Sequence, residues 1–198
     1  MIQARNGRWL VWSMAIGLSL AQGSTAMAKE DLAQRIERLE ARLADAEARL
    51  GVQQVITTYG LAADTNDIPA MMSLWTDDCV IEIDGNVIAQ GREQSRGIIE
   101  SEVHQSIQPY SAHVMGPFRI DVIDADHAVA TGYQTVYVRE GKRAEGQSQV
   151  WRQSFGRWEL RRSGGRWEIA RRQSRAVSHP GVKAIVEPTL RKREDGAN

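Results

Sequence analysis

Two residues far apart in this chain are the best suited of its side chains to moving a proton. His113 stands in the run Ser111-Ala-His113-Val-Met-Gly-Pro117, at the head of an apolar segment over residues 118–122 that reads as a β-strand. Asp64 lies near the end of an amphipathic helix that begins around Val52. An imidazole changes its charge near neutral pH, and a carboxylate on one ring nitrogen orients it as a general base. Each residue also has a plainer reading, His113 as a structural strand residue and Asp64 as an exposed residue at a helix end. The apolar run Leu61-Ala-Ala63 favours burial of Asp64, and a buried carboxylate needs a partner. Parity sets a condition. His113 and Met115 are out of phase with Phe118, Ile120 and Val122, so they share a face only if Gly116-Pro117 forms a bulge.

Other chemistry-bearing residues are less pointed. Tyr59, five positions before Asp64, is either an acid or hydrogen-bond donor to a substrate or a core aromatic; it reaches the same pocket only from an adjacent helix face. Glu82 and Asp84 alternate with Ile81 and Ile83, which is the polar face of a hairpin. Trp75, Trp151, Trp158 and Trp167 read as core or pocket wall. The arginines at 157, 161, 162, 166, 171, 172 and 175 read as a solvated or interface face. His104, His127 and His179 are scattered, and no spacing suggests a metal site. Neither a glycine-rich phosphate loop nor a Ser-His-Asp signature is present, so nothing calls for a cofactor.

The elements that must position these groups follow from periodicity. Residues 30–50 carry Leu32, Ile36, Leu39, Leu43, Ala46 and Leu50 at alternating steps of four and three, a heptad stripe with a charged outer face. It reads either as a self-association arm or as a helix laid over the domain. Gly51 breaks or bends it, and a second helix runs from Val52 to about Thr65. Asp67 caps a short helix over 68–75, Thr76-Asp77-Asp78 is a turn, 79–83 a strand, Asp84-Gly85-Asn86 a hairpin turn, and 91–104 a helix. Strands over 113–122, 128–138, 147–162 and 166–177, joined by short turns such as Glu140-Gly-Lys142, make an antiparallel meander. Helices first and a meander afterwards is an α+β layout: a curved antiparallel sheet closed by N-terminal helices around an apolar pocket, with an extra heptad helix ahead of it. The tail from Pro180 is expected to fray at its end.

The whole chain bounds the partners. It has 198 residues with 25 basic and 25 acidic side chains, so neither nucleic acid nor a polyanion is an expected partner. Arg5 and Arg8, the apolar run over 9–20 and Ala26-Met-Ala28 read as a signal peptide cleaved before Lys29. That run is shorter than the ~20 residues needed to span a bilayer, so no membrane anchor is expected after cleavage and the chain is exported, periplasmic or secreted. The single Cys79 sits in an apolar run as a buried small residue, and the fold must rest on its core, not on disulfides.

With Tyr59 and Asp64 on a helix, Leu74-Trp-Thr-Asp-Asp-Cys-Val80, the Gly91-Arg92 helix start, His113 at a strand head and Gly-Gly-Arg-Trp167-Glu-Ile-Ala170, the chain resembles the SnoaL-like branch of the nuclear-transport-factor-2-like superfamily over roughly residues 51–178. The resemblance implies a cone-shaped α+β fold with a deep apolar pocket, often dimeric or trimeric. It also implies activities such as ketosteroid isomerase, scytalone dehydratase, bile-acid dehydratase, lindane dehydrochlorinase or limonene-epoxide hydrolase, alongside members with no chemistry. In the dehydratase and dehydrochlorinase members an Asp late in the first core helix orients a His at a strand start; Asp64 and His113 fall on those positions, and Tyr59 on a Tyr of the bile-acid enzyme. The chain departs from scytalone dehydratase in having no second His over 149–153, where Trp151 stands instead. The isomerase's base would fall near Glu82 to Asp84.

The expected organisation is a signal peptide over 1–28, a heptad helical arm over 29–50, a SnoaL-like domain over 51–178 and a C-terminal tail over 179–198. The expected function is a cofactor-independent lyase or isomerase that abstracts a proton from a small hydrophobic molecule, with His113, Asp64 and Tyr59 as the catalytic set. Trp75, Glu82, Met115 and Trp151 are the expected pocket residues. The alternative is a non-catalytic exported ligand-binding or oligomer-assembly domain of the same fold.

Overall fold

The computed structural model describes the backbone of residues 12–139 and 147–191 and the side chains from residue 31 onward within those limits. The basic start of the expected leader, the turn at 140–142 and the last residues of the tail lie outside the described residues. The chain forms two compact units, Met1–Ala46 and Glu47–Asn198. The described residues of the first, 12–46, are helical and belong to α1 (Trp12–Thr65). Among the described residues no helix is long and apolar enough to cross a membrane.

Helix α1 does not stop at Gly51. A β-carbon at that position would lie 2.6 Å from Cδ1 of Trp167, so the glycine is there for a close approach to the sheet and not as punctuation. Beyond it Val52, Ile56, Tyr59, Ala62 and Ala63 are buried at helical spacing, which makes one face of the helix the roof of the core.

The second unit continues with α2 (Ile68–Met72), whose N-cap is Asp67, accepting from the Ala70 N–H at 3.0 Å as the sequence implies. Then come β1 (Trp75–Ile83), β2 (Asn86–Gln90), α3 (Arg92–Ile99), α4 (Glu102–Ile107), β3 (Ser111–Val122), β4 (His127–Arg139), β5 (Ser148–Ser163), β6 (Arg166–Ala176) and α5 (Val182–Arg191). The expected turn at residues 76–78 lies inside β1, at an irregularity between Trp75 and Val80. The single helix expected over 91–104 is two, because the Ser101 hydroxyl caps a new one by accepting from the His104 N–H. The tail carries a helix around Pro188: Ile185 and Thr189 turn inward, and Thr189 meets Thr131, hydroxyl to hydroxyl, at 2.8 Å.

The six strands form one curved, open sheet in the order β2-β1-β6-β5-β4-β3. The meander is antiparallel throughout, as expected, but the hairpin β1–β2 joins it through a parallel pairing of β1 with β6. Asp84 and Gly85 both have positive φ, as a two-residue hairpin turn of the primed type requires. Alternate residues of β5, among them Trp158 and Leu160, pack with Ile169 of β6 and Ala128 and Ala130 of β4 under the buried face of α1. In β3 the register against β4 slips by one residue between Met115 and Phe118. This is the bulge that parity demanded; it turns Met115 and Phe118 onto the same side, and both pack against the core.

Candidate active site

The site begins with how closely α1 approaches β3. A β-carbon on Gly60 would fall 2.8 Å from the carbonyl oxygen of His113 and 3.1 Å from Cγ of Met115. One helical turn further on, Asp64 reaches the start of β3. Its Oδ1 lies 2.6 Å from Nδ1 of His113, its Oδ2 accepts the His113 backbone N–H at 2.7 Å, and the Ser111 hydroxyl donates to Oδ1 at 2.9 Å. The two side chains are mostly covered, 11% exposed for His113 and 23% for Asp64. Burial alone would raise the Asp64 pKa. The hydrogen bonds from the His113 ring and backbone, the nearby His113 charge and the Ser111 hydroxyl together overcome it and hold the carboxyl below its ordinary value. A carboxylate can only accept, so Nδ1 carries the proton in this contact and Nε2 is the other ring nitrogen.

A second layer braces this contact. The Gln108 amide donates to the Ser111 hydroxyl at 2.9 Å and to the Ala63 carbonyl at 2.9 Å, and it lies 3.2 Å from Nε2 of His104. That same His104 nitrogen is 3.2 Å from the Ala63 carbonyl, and the two imidazole centroids are 6.0 Å apart. Burial first, then the neighbouring His113, holds the His104 pKa below its ordinary value.

His113 lines a cavity of about 270 Å³. Its apolar wall is Ile83, Ile98, Ile99, Val103, Ile107 and Val136, contributed by β1, α3, α4 and β4. Tyr59, Ser101, His104, Trp151, Arg152 and Arg172 complete it. Tyr59 stands edge-on to Trp158 at 5.0 Å, and the Arg172 guanidinium lies 5.1 Å from both ring centroids. The Arg172 Nε is buried with no hydrogen-bond partner. Arg152 is held by Asp84 at 2.9 Å.

Of the expected residues, His113 and Asp64 meet, and Tyr59 and Trp151 line the same cavity. Trp75, Glu82 and Met115 are not among its lining residues. Trp75 is fully buried in the core, edge-on to Tyr59 at 6.1 Å. The parallel pairing of β1 with β6 sets Glu82 opposite Gln173, where Arg171, Arg175 and the Gln173 amide all donate to it. Met115 is spent on the contact with Gly60. Sequence reasoning assigned Arg172 to a solvated or interface face; its register on β6, opposite Trp158, turns it inward instead. A larger and more open groove of about 630 Å³ runs beside α5, but its Glu187 and Arg191 pair with each other, and no imidazole faces it.

The fold and this geometry can be set beside known proteins. No curated protein matches the chain. An NTF2-like protein with a cystatin-like fold from Novosphingobium aromaticivorans is similar at 28% identity and a TM-score of 0.67, over 75% of this chain and 94% of that one. The hexachlorocyclohexane dehydrochlorinase LinA-type3 from Novosphingobium barchaimii shares the fold at 18% identity and a TM-score of 0.58, over 69% of this chain and 90% of its own. A protein provisionally assigned as a scytalone dehydratase, again from N. aromaticivorans, shares it at 16% identity and a TM-score of 0.59, over 68% and 87%. The model of the SnoaL-like domain matches residues 44–173, well over half of the sequence and every element from the buried face of α1 to β6, and the chain belongs to that family within the NTF2-like superfamily.

Proposed function

We propose that the cavity beneath α1 is the active site of a cofactor-independent lyase or isomerase, and that His113 is its general base. The observation that carries this reading is the 2.6 Å contact between Asp64 and His113 Nδ1 at the wall of an apolar cavity. Asp64 fixes the tautomer, so Nε2 is the nitrogen that takes a proton from a substrate carbon, and the carboxylate stabilises the imidazolium that forms. The electron pair left on carbon either expels a leaving group or moves into a neighbouring carbonyl. Tyr59 and Arg172, on the same cavity wall, are suited to the negative oxygen or leaving group, and a guanidinium in an apolar setting acts strongly there. The proton then returns from the imidazolium to the departing group or to another carbon. The cavity, at about 270 Å³, lies just below the ~300–1,000 Å³ typical of ligand sites, which favours a small hydrophobic substrate. The fold's dehydratase and dehydrochlorinase neighbours support the same class of reaction.

A second reading takes Asp64 as a structural clasp, because it also accepts from the His113 backbone and from Ser111, and takes the cavity as a binding site without chemistry. The two readings separate in heavy water. Small cyclic ketones and halides are incubated with the protein, and deuterium entering an acidic C–H position is followed by NMR. Catalysed exchange or elimination that falls about 10²-fold or more in both His113→Ala and Asp64→Asn supports the base. Turnover that survives in either variant removes the pair from the mechanism. Binding with no exchange selects the second reading.

A further inference from the structure

The heptad stripe of α1 stays outside the site. Leu32, Ile36, Leu39, Leu43 and Leu50 are each between 46% and 63% exposed. The stripe is not an overrun of the core-facing surface. At ~100° per residue, Leu50 lies about 160° around the helix from Ala48 and Val52, both buried in the core. Among the described residues nothing covers these leucines, and five large apolar side chains in one row are not a solvated surface.

The charges beside the stripe say what covers it. Ile36, Leu43 and Leu50 take the a positions of a heptad and Leu32, Leu39 and Ala46 the d positions. The g positions are then Arg35, Arg42 and Arg49, and the e positions next to the leucine seam are Glu40 and Glu47. In a parallel, in-register pair each g residue faces the e residue of the following heptad on the other helix. Arg35 meets Glu40 of the second copy, Arg42 meets its Glu47, and both contacts repeat by symmetry. An antiparallel pair would set arginine against arginine and glutamate against glutamate. The seam also has a defined end. Its next positions are Gln53 and Thr57, which are polar, and Arg49 already donates to the Ile120 carbonyl of its own chain.

We propose that two copies of this chain pair through residues 32–50 of α1 as a parallel, in-register two-stranded coiled coil. Ile at a with Leu at d in the central heptad fits two strands. The pairing is independent of which reaction the cavity serves.

Leu32→Cys, in the full chain, tests this directly. In the parallel pair the two introduced thiols face each other at one end of the seam and oxidise to a covalent dimer. In an antiparallel pair each would lie opposite position 50, about 27 Å from its counterpart, beyond disulfide reach. Cys79 is buried and gives no such product. Adding Arg35→Glu with Arg42→Glu, or Glu40→Arg with Glu47→Arg, is expected to slow cross-linking at least tenfold, and mixing the two variant chains to restore it. All four positions are exposed, so circular dichroism and the unfolding transition of the family domain are expected to stay unchanged. Absence of the Leu32→Cys dimer, indifference of cross-linking to the charge reversals, or no recovery on mixing overturns the proposal.

Discussion

Asp64 is the acceptor for three donors on β3, and what it receives from each decides how a substitution there behaves. Asparagine at this position turns an N–H toward groups that are themselves donors. Asp64→Asn is therefore expected to cost about 1–3 kcal/mol, the range for leaving a buried polar group unserved, as read from urea unfolding. The pH dependence has a definite sign. The folded-state pKa of Asp64 is lowered, so its contribution to stability is present above the unfolded value and is lost as pH falls through the folded one. His104 acts in the same direction from a higher starting point. Burial, and then the neighbouring His113, depresses its folded pKa below 6.5, so the unfolded chain binds that proton first, and stability declines as pH drops from about 6.5 toward the folded value. Urea midpoints measured from pH 8 downward are expected to fall in that upper range for the wild-type chain and to flatten there in His104→Asn. An unchanged slope in the variant would remove His104 from the account. His104 and Arg172 both escaped the sequence reading, because a lone histidine on a short helix and one arginine among many on two strands carry no local mark of facing inward.

At the level of elements, the meeting of the two groups depends on a helix and a strand packed at glycine distance. Gly60→Ala would place a methyl 2.8 Å from a backbone oxygen of β3, which cannot swing away as a side chain can. The helix must then lift from the strand. The expected outcome is about 1–3 kcal/mol of lost stability, together with a loss of deuterium exchange out of proportion to it, because under the proposed mechanism a displacement near 1 Å takes His113 out of reach of the substrate carbon. Thermal unfolding and the exchange assay on the same sample check both halves; wild-type exchange in a destabilised chain would show that the spacing is not critical. The bulge in β3 was legible only as a condition, since the sequence shows that His113 and Met115 fall out of phase with Phe118 and Ile120 and not which way the chain resolves it. Gly51 misled for the opposite reason. Its local meaning is interruption, whereas its actual cause is an indole more than a hundred residues further along the chain. Around Pro188 the burial of Ile185 and Thr189 outweighs one missing helix hydrogen bond.

For the molecule as a whole, the layout of helices followed by a meander was readable from periodicity, while the joint between the hairpin and the meander was not. Glu82 alternates with isoleucines as any exposed strand residue would, and only the parallel partner β6 shows that it is the centre of an ion cluster. That joint makes truncation informative. A chain ending after Ser163 keeps Asp64, His113 and the first five strands but lacks β6, the element that links β1 to β5. It is expected to show no cooperative unfolding transition; a sharp one would mean that the hairpin docks without its partner.

The same joint bears on how the protein is made. Synthesis delivers the β1–β2 hairpin early and its neighbour in the sheet last, so for most of translation two isoleucine-bearing strands wait with an open edge, and pairings this distant in sequence close slowly. The cavity wall is incomplete until that final strand, with Arg172, has been made. A nascent chain stalled short of that point already carries Asp64 and His113 but lacks Arg172, the cavity residue that β6 supplies.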